Sequence, residues 1–342
     1  MSVSTSESAG IDLVTGGTGF IGAHVVRALL AKGARVRCLV RPAGVRRNLD
    51  GLAVDLVEGD LRDGASLFRA MSGIRTVYHC AADYRLWARD PRELYASNVE
   101  GTRNVLAAAA KAGVRRIVYT SSVAAIGIAH DGAADEETPM HPGDLIGAYK
   151  KSKYEAELVA RQAADDGLPV VIVNPSTPLG ELDVKPTPTG QIIVDFLNGK
   201  MPAYVETGLN LVDVRDVAAG HLLAAEKGRI GERYILGNRN ATLKELFDVL
   251  ARISGLRSPR VKLPHWIPMA FAAVDTTWSK VTGRAPRVPF DSARMARHRM
   301  YFESAKAVRE LGLPQTPIEQ ALERAVQWFR DNGYVHGLAV AS

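Results

Sequence analysis

The chain is short of the features that would stabilise it from outside its own core. Its 342 residues include two cysteines, Cys38 and Cys80, and only 6% aromatic side chains. Both cysteines lie in apolar runs that read as strands, so they are expected to be small buried hydrophobes in a reducing compartment and not a disulfide framework. No uncharged apolar run approaches the ~20 residues of a spanning helix. Met1 is followed by Ser2, Val3, Ser4, Thr5, Ser6 and Glu7, without a basic and apolar leader, so no signal peptide is expected and the expected home is the cytoplasm. Repeats and low-complexity segments are absent. The net charge of +6 comes without a nucleic-acid-binding motif, which argues against nucleic acid as a partner. It suits acidic ligands such as a phosphorylated cofactor. Part of it lies in Arg284, Arg287, Arg294, Arg297 and Arg299, a segment that leaves contact with an anionic lipid surface open.

What is present, with 46% hydrophobic residues, is enough apolar material for a large core. Short apolar runs alternate with helical patterns. Strands are expected at Ile11–Thr15, Arg35–Val40, Val54–Glu58, Thr76–Cys80, Ile117–Thr120 and Val170–Asn174. Helices are expected at Ala23–Lys32, Leu67–Met71, Glu93–Ala110 and Tyr149–Ala164. Strands at this spacing with helices between them imply an α/β fold, a Rossmann-type parallel sheet with helices on both faces. The alternation breaks at Asn174-Pro175-Ser176-Thr177-Pro178 and at the turn-rich Lys185–Gly190. Residues 11–175 therefore read as a dinucleotide-binding domain, with 210–238 returning to it through strands at Asn210–Val214 and Tyr234–Leu236. Residues 176–209 and 239–335 read as a smaller, mainly helical substrate cap. In the cap, Thr242 with Glu245 forms a capping box for a helix to Ile253, and Thr316 is the expected N-cap of a helix from Pro317 to Asn332. Trp266, Ile267, Met269, Phe271 and Trp278 either line an apolar substrate pocket or pack a helix on the core, and the core reading is preferred.

Gly16, Gly19 and Gly22, with Thr18, Phe20 and Ile21 between them, follow the first strand and open a helix. Gly16 permits the tight turn, Gly19 the approach of a pyrophosphate and Gly22 the close packing of helix on sheet, while the helix amino end offers free N–H groups to phosphate. The second strand ends at Val40-Arg41. A carboxylate there would accept from the adenosine ribose of NAD; Arg41 instead favours a 2′-phosphate, so NADP(H) is preferred and NAD(H) is the alternative. Arg37 and Arg46 are candidates to assist. Asp60 is placed to meet the adenine amino group and Leu61 to pack on the ring. Ala81 and Ala82, past the fourth strand, let the nucleotide pass close to the backbone, and Pro175 closes the same edge. His79 has no partner at metal-ligand spacing, so no metal is expected. Asn98 is placed to tie its helix to the neighbouring strand.

Tyr149 and Lys153 stand at i,i+4 on one helix and share a face. A nearby ammonium stabilises phenolate. A shift of ~3 units in a tyrosine of pKa ~10 corresponds to about 4 kcal/mol. Tyr149 then removes an alcohol proton as hydride leaves, or returns one as a carbonyl is reduced. Lys153 can also reach the nicotinamide ribose. Ser122, after the strand that ends at Thr120, is the expected hydrogen-bond partner of the reacting oxygen, with Ser121 and Thr120 as neighbours.

Taken together these motifs resemble the extended short-chain dehydrogenase/reductase family, over roughly Asp12 to Asn332. The family's glycine triplet falls on Gly16, Gly19 and Gly22, and its catalytic hydroxyl, tyrosine and lysine on Ser122, Tyr149 and Lys153. The run Asn210–Val217 is also similar to a family segment near the substrate cleft. Within the family, His79–Trp87, Asn174–Pro178, Lys185–Gly190 and Ala203-Tyr204 look like the hopanoid-associated sugar epimerase group. That resemblance implies bacterial isoprenoid-lipid metabolism as context. Arg41 is similar to its counterpart in dihydroflavonol-type ketone reductases. Pairing of related enzymes through the helices carrying Asn98 and Tyr149 implies a homodimer.

The preferred function is an NADP(H)-dependent oxidoreductase that interconverts a ketone or aldehyde with an alcohol. The alternative is an NAD-dependent nucleotide-sugar epimerase that keeps its cofactor, with Arg284, Arg287 and Lys185 as candidate diphosphate ligands. A dehydratase is disfavoured because Ser122 is followed by Val123-Ala124-Ala125 and no acid. A redox-sensing binding protein is the non-enzyme alternative. Tyr84, Trp87, Thr177 and Lys185, with Ser122, are the expected contacts of a small-molecule substrate.

Overall fold

The computed structural model describes residues 10–129 and 131–336, apart from the side chains of residues 280 and 281. Residues Met1–Glu7, for which no signal peptide is expected, lie outside the described residues. Glycine turns and apolar strands alternate from the outset: β1 (Ile11–Thr15), α1 (Phe20–Ala31), β2 (Arg35–Val40), β3 (Asp55–Glu58), α2 (Gly64–Ala70) and β4 (Ile74–His79). The expected long helix after β4 is α3 (Arg92–Tyr95) and α4 (Gly101–Lys111), joined by a π-helical turn at Ala96–Glu100. Then come β5 (Arg116–Thr120), α5 (Gly147–Asp165) and β6 (Val170–Pro175). The remaining elements are β7 (Thr177–Leu179), α6 (Pro188–Leu197), β8 (Ala203–Val205), β9 (Gly208–Asp213), α7 (Val214–Lys227), β10 (Arg233–Leu236), β11 (Arg239–Thr242) and α8 (Leu243–Ser254). They are followed by β12 (Val261–Leu263), α9 (Trp266–Thr282), α10 (Phe290–Met295), β13 (Arg299–Met300), α11 (Ala305–Leu311) and α12 (Ile318–Asp331).

Seven strands form the main sheet in the order β10-β6-β5-β4-β1-β2-β3, every neighbouring pair parallel. Both of its faces are buried, as side-chain alternation requires of a sheet covered by helices on each side. On β1, Leu13 enters one apolar cluster with Leu67, Val105 and Ile117, while Val14 enters the other with Val25, Val118 and Leu222. The strand order reverses between β1 and β4, and the crevice beyond their carboxyl ends is where a doubly wound sheet takes its ligand. The α/β class and the Rossmann-type sheet are as the sequence indicates.

Three expectations are corrected. The strand at Asn210–Val214 does not return to the main sheet. It is β9, in a second sheet where it pairs antiparallel with β11 and parallel with β7 and β13. The edge beside β6 is already taken by β10, which pairs with it from Arg233↔Ile172 to Leu236↔Pro175. Asn210 secures β9 in the second sheet by donating from Nδ2 to Asn240 Oδ1 (2.8 Å) and to the Phe302 carbonyl (3.0 Å). The second correction is in α9: Trp266, Phe271 and Trp278 are exposed, at 69%, 53% and 66%, and do not fill the core. Thr316 is also not an N-cap. Its hydroxyl and N–H donate to Asp216, and α12 starts one residue after Pro317.

The cap has its own core, centred on Phe247, which is fully buried and stacks on Phe196 with ring centroids 5.6 Å apart. The Thr242 capping box of α8 forms as expected, with Glu245 accepting from the Thr242 N–H at 2.7 Å. Phe247→Ala should destabilise the protein by about 3–5 kcal/mol, measured as a lowered urea midpoint. A shift under about 1 kcal/mol would mean that this cluster is not the structural centre of the cap.

Candidate active site

The glycine turn is built as close backbone approach demands. Gly16 has φ +73°, and a Cβ there would lie 2.7 Å from the backbone of Ala81. A Cβ on Gly22 would lie 2.2 Å from the Gly16 carbonyl oxygen. Gly19 donates its N–H to that same carbonyl at 2.9 Å and caps α1 without any side-chain bond. No acidic residue stands in the first turn of α1, so its free N–H groups suit a pyrophosphate. The Thr18 carbonyl accepts from Asn48 Nδ2 (3.2 Å), which also donates to Leu182 (3.0 Å) and so links the turn to the loop after β7. Phe20 stands edge-on to His24, and Ile21 packs on the core beneath the turn. Across the crevice, Ala81 N–H donates to Thr15 Oγ1 at 3.2 Å, and Ala82 is exposed. Pro175 ends β6.

At the adenosine end Arg41 is exposed just past β2. Asp60 is gripped by Arg62 through two hydrogen bonds of 2.9 Å. That grip, with weaker help from Arg41, holds the Asp60 carboxyl down to about 2. Arg62 was not anticipated: its side chain folds back two residues, and such pairing leaves no periodic signal. Leu61 packs against Gly101, and its carbonyl accepts from Asn104 at 3.0 Å. Arg37 and Arg46 are committed elsewhere, Arg37 to Asp55 and the Ala70 and Ser72 carbonyls, Arg46 to Glu58.

The structure brings Ser122, Tyr149 and Lys153 together at the carboxyl edge of β5. The Ser122 hydroxyl accepts from Ala124 N–H at 3.1 Å and faces the Tyr149 phenol. Burial raises the phenol above its ordinary value, and the neighbouring Ser122 hydroxyl opposes that rise. In the cofactor-free protein burial is the largest influence on the phenol. Lys153 Nζ donates to the Thr120 carbonyl at 2.9 Å and lies 5.2 Å from the centroid of the Tyr119 ring. Burial pushes Lys153 down to about 8, with Glu157 and Cys80 holding it up.

Behind these three residues is a network that sequence reasoning found only at Asn98. From the π-helical turn, Asn98 accepts the Asp83 N–H (2.7 Å) and donates to the Asp83 carbonyl (2.9 Å) and to Ser152 Oγ (3.0 Å), which in turn donates to the Tyr149 carbonyl (2.9 Å). Buried Glu157 accepts from Asn174 Nδ2 (2.6 Å) and Arg233 Nη1 (3.1 Å). Thr120 Oγ1 meets His221 Nε2 at 2.8 Å, and His221 Nδ1 meets the Val217 carbonyl at 2.7 Å. His221 sits 101 positions from Thr120 in the chain, inside an ordinary amphipathic pattern, so nothing local marked it. His79 bonds Thr15 Oγ1 (2.7 Å) and Thr102 Oγ1 (3.1 Å) as a satisfied buried histidine.

Of the expected substrate contacts, Tyr84 donates its hydroxyl to the Lys185 carbonyl at 3.0 Å, joining the loop after β4 to the loop before α6. Trp87 is half-buried in the first of these loops, the Lys185 side chain is exposed, and Thr177 opens β7.

A parallel sheet with a phosphate-shaped glycine turn at its switch point is the fold of the extended short-chain dehydrogenase/reductase enzymes. The chain belongs to the NAD dependent epimerase/dehydratase family, whose profile matches residues 13–237. A relative from Synechocystis sp., provisionally named a dihydroflavonol 4-reductase, is 54% identical over 327 residues, covering 94% of this chain and 95% of that protein. Sterol demethylase protein B of Methylococcus capsulatus is 38% identical over 94% of this chain and 99% of its own length. Among solved structures, gox2253 superposes with a TM-score of 0.85 at 48% identity, covering 95% of this chain and 99% of that one. A nucleoside-diphosphate-sugar epimerase from Pseudomonas aeruginosa gives 0.79 at 32% identity, with the same coverage.

Buried His221 stays neutral because burial pulls its pKa to about 4. Below the unfolded value of ~6.5 the unfolded chain takes up a proton that the folded chain refuses. This group therefore withdraws stability as the pH falls from about 6.5 towards 4. The loss of melting temperature between pH 6.5 and 4 should be smaller in His221→Gln than in the wild type. Parallel slopes would show that His221 is not held neutral.

Proposed function

We propose that this protein is an NADP(H)-dependent reductase of ketones or aldehydes, working in either direction. The observation that carries the reading is the convergence of the Ser122 hydroxyl and the Tyr149 phenol beside a buried Lys153, whose Nζ is held by the Thr120 carbonyl. When bound, the nicotinamide supplies or accepts the hydride. The protein's own groups handle the oxygen and its proton. Ser122 donates to the carbonyl oxygen and steadies the negative charge that grows there. Tyr149, protonated because it is buried, gives its proton to the forming alkoxide, and in the reverse direction the phenolate takes it back. Lys153 lies within the same buried site, where its charge favours the phenolate that remains. The Thr120 carbonyl aims it, and Glu157 keeps it charged. Burial brings Lys153 down to about 8 in the cofactor-free protein.

Arg41 supports the choice of NADP(H). It is exposed just past the end of β2, and both it and Arg62 act on Asp60, so two guanidinium groups are available at this edge for an adenosine 2′-phosphate. Relatives named cinnamoyl-CoA reductase, such as the 30% identical protein of Petunia hybrida, also favour a reductase. The second reading, an NAD-dependent nucleotide-sugar epimerase, is favoured by the likeness to the Pseudomonas aeruginosa epimerase. Tyr84, Trp87, Thr177 and Lys185 remain the proposed substrate contacts, in a homodimer paired through the helical segments that carry Asn98 and Tyr149.

Incubating the purified protein with NADPH or NADH and a carbonyl panel, scored for cofactor oxidation and for epimerised sugar, separates the two readings. A reductase consumes NADPH stoichiometrically. Tightly retained NAD with an epimerised product and no net oxidation overturns it. Tyr149→Phe should keep cofactor affinity and lose turnover by about 10²–10⁴-fold; undiminished turnover rejects the acid–base role. Arg41→Asp should weaken NADPH binding by at least about tenfold, roughly one charge-assisted bond, and leave NADH binding nearly unchanged. Equal losses for both cofactors would place Arg41 away from the 2′-phosphate.

A further inference from the structure

The helix α9 (Trp266–Thr282) turns its wrong side to water. Its exposed residues are Trp266, Ala270, Phe271, Ala273, Val274, Thr277 and Trp278. At 100° per residue they fall on one continuous face. Among the described side chains that face carries no charge. The exposures are large: 69% for Trp266, 53% for Phe271, 72% for Val274 and 66% for Trp278. A solvent-facing helix surface in a globular protein is normally polar and charged. Contiguous exposed apolar surface with a polar rim marks an interaction site. The opposite side of the helix is anchored in the cap: Ala272 and Ser279 are buried, and Asp275 accepts the Val288 N–H at 3.1 Å.

We infer that α9 lies on an anionic lipid surface, its tryptophans, Phe271 and Val274 set into the headgroup boundary and the arginines that follow it resting on lipid phosphates. Charge decides between this occupant and a second copy of the chain. Arg284 and Arg287 emerge just beyond the Gly283 cap of α9, and Arg297 follows α10. All three are exposed and form no ion pair among the described residues. A second copy brought face to face would offer these arginines no carboxylate from the exposed side of α9. Phosphate headgroups neutralise them. Tryptophan at the apolar edge and arginine at the polar edge is the composition of a helix lying in the interface plane. With 17 residues α9 is about 25 Å long and lies along the surface rather than across it. No helix among the described residues is long and apolar enough to cross a membrane.

This surface belongs to the part of the cap nearest the candidate site. A Cβ on Gly283 would lie 3.8 Å from Arg89 in the loop that carries Tyr84 and Trp87, and one on Gly147, at the start of α5, would lie 2.8 Å from Asp291 of α10. The inference does not depend on the reaction catalysed, and its test reads lipid binding alone.

The full chain is sedimented with vesicles of equal parts phosphatidylglycerol and phosphatidylcholine, and with vesicles of phosphatidylcholine alone. The wild type should bind the anionic vesicles at least tenfold more tightly than the neutral ones. The double variant Trp266→Ser/Trp278→Ser and the double variant Arg284→Glu/Arg287→Glu should each lose at least tenfold of that affinity while keeping the wild-type circular dichroism spectrum. Brominated lipid should quench the wild-type tryptophan fluorescence, a readout that stands even if a variant misfolds. No sedimentation and no quenching overturn the inference, as does equal binding by wild type and the tryptophan variant. A wild-type dimer that the tryptophan variant converts to monomer, without vesicle binding, assigns the face to a second copy and also overturns it.

Discussion

An ammonium group has to be kept in a dry place beside a phenol, and much of the architecture serves that requirement. Removing an ammonium ion from water costs several kcal/mol unless partners replace the lost hydration. Lys153 finds them in the Thr120 carbonyl, the face of Tyr119 and the charge of Glu157. Glu157 is itself buried and is stabilised by Asn174 and Arg233. One charge thereby ties together α5, β5, β6 and β10. His221 of α7 fastens the same strand end from the other face of the sheet. Each contact reaches across elements far apart in the chain, so the position of Lys153 depends on the completed sheet and not on α5 alone.

The same geometry serves more than one reaction. In the mechanism proposed above, hydride transfer followed by product release, and hydride transfer followed by return to the opposite face, place identical demands on Ser122, Tyr149 and Lys153. What separates them lies at the periphery: the charge around Arg41 and Arg62, and the loops that meet where Tyr84 touches Lys185. Relatives bearing the names of reductases and a solved epimerase share this fold nearly end to end, as expected when a scaffold holds the common chemistry and its loops choose the substrate.

Much of this was legible in the sequence because it is local or periodic. The parallel strands, the glycine turn and the i,i+4 relation of Tyr149 and Lys153 need only short windows. The Thr242 capping box is complete within four consecutive residues. What escaped is non-local. β9 has a convincing strand pattern, but the pattern does not say which sheet it joins; the occupation of the edge by β10 does. Arg37 and Arg46 looked available until distant partners claimed them. The apolar side chains of α9 carried a core-like signal, and only the assembled cap shows that they face outward. Thr316 failed as a cap because Asp216, 100 positions earlier, captured its hydroxyl.

The π-helical turn at Ala96–Glu100 sets the phase between two parts of the protein. A π turn accommodates one more residue than an α-helix would over the same hydrogen-bonded loop. Downstream of it, α4 is locked on the main sheet; upstream, α3 follows the loop that bears Tyr84 and Trp87. Excision of a single residue here would let the segment relax into regular α-helix and swing α3 by about 100° around the common axis. Leu94, now 1% exposed, would leave its niche, and Asn98 would lose its aim at Ser152. The loop that bears Tyr84 and Trp87 and the helix of Tyr149 are thus kept in step by one supernumerary residue.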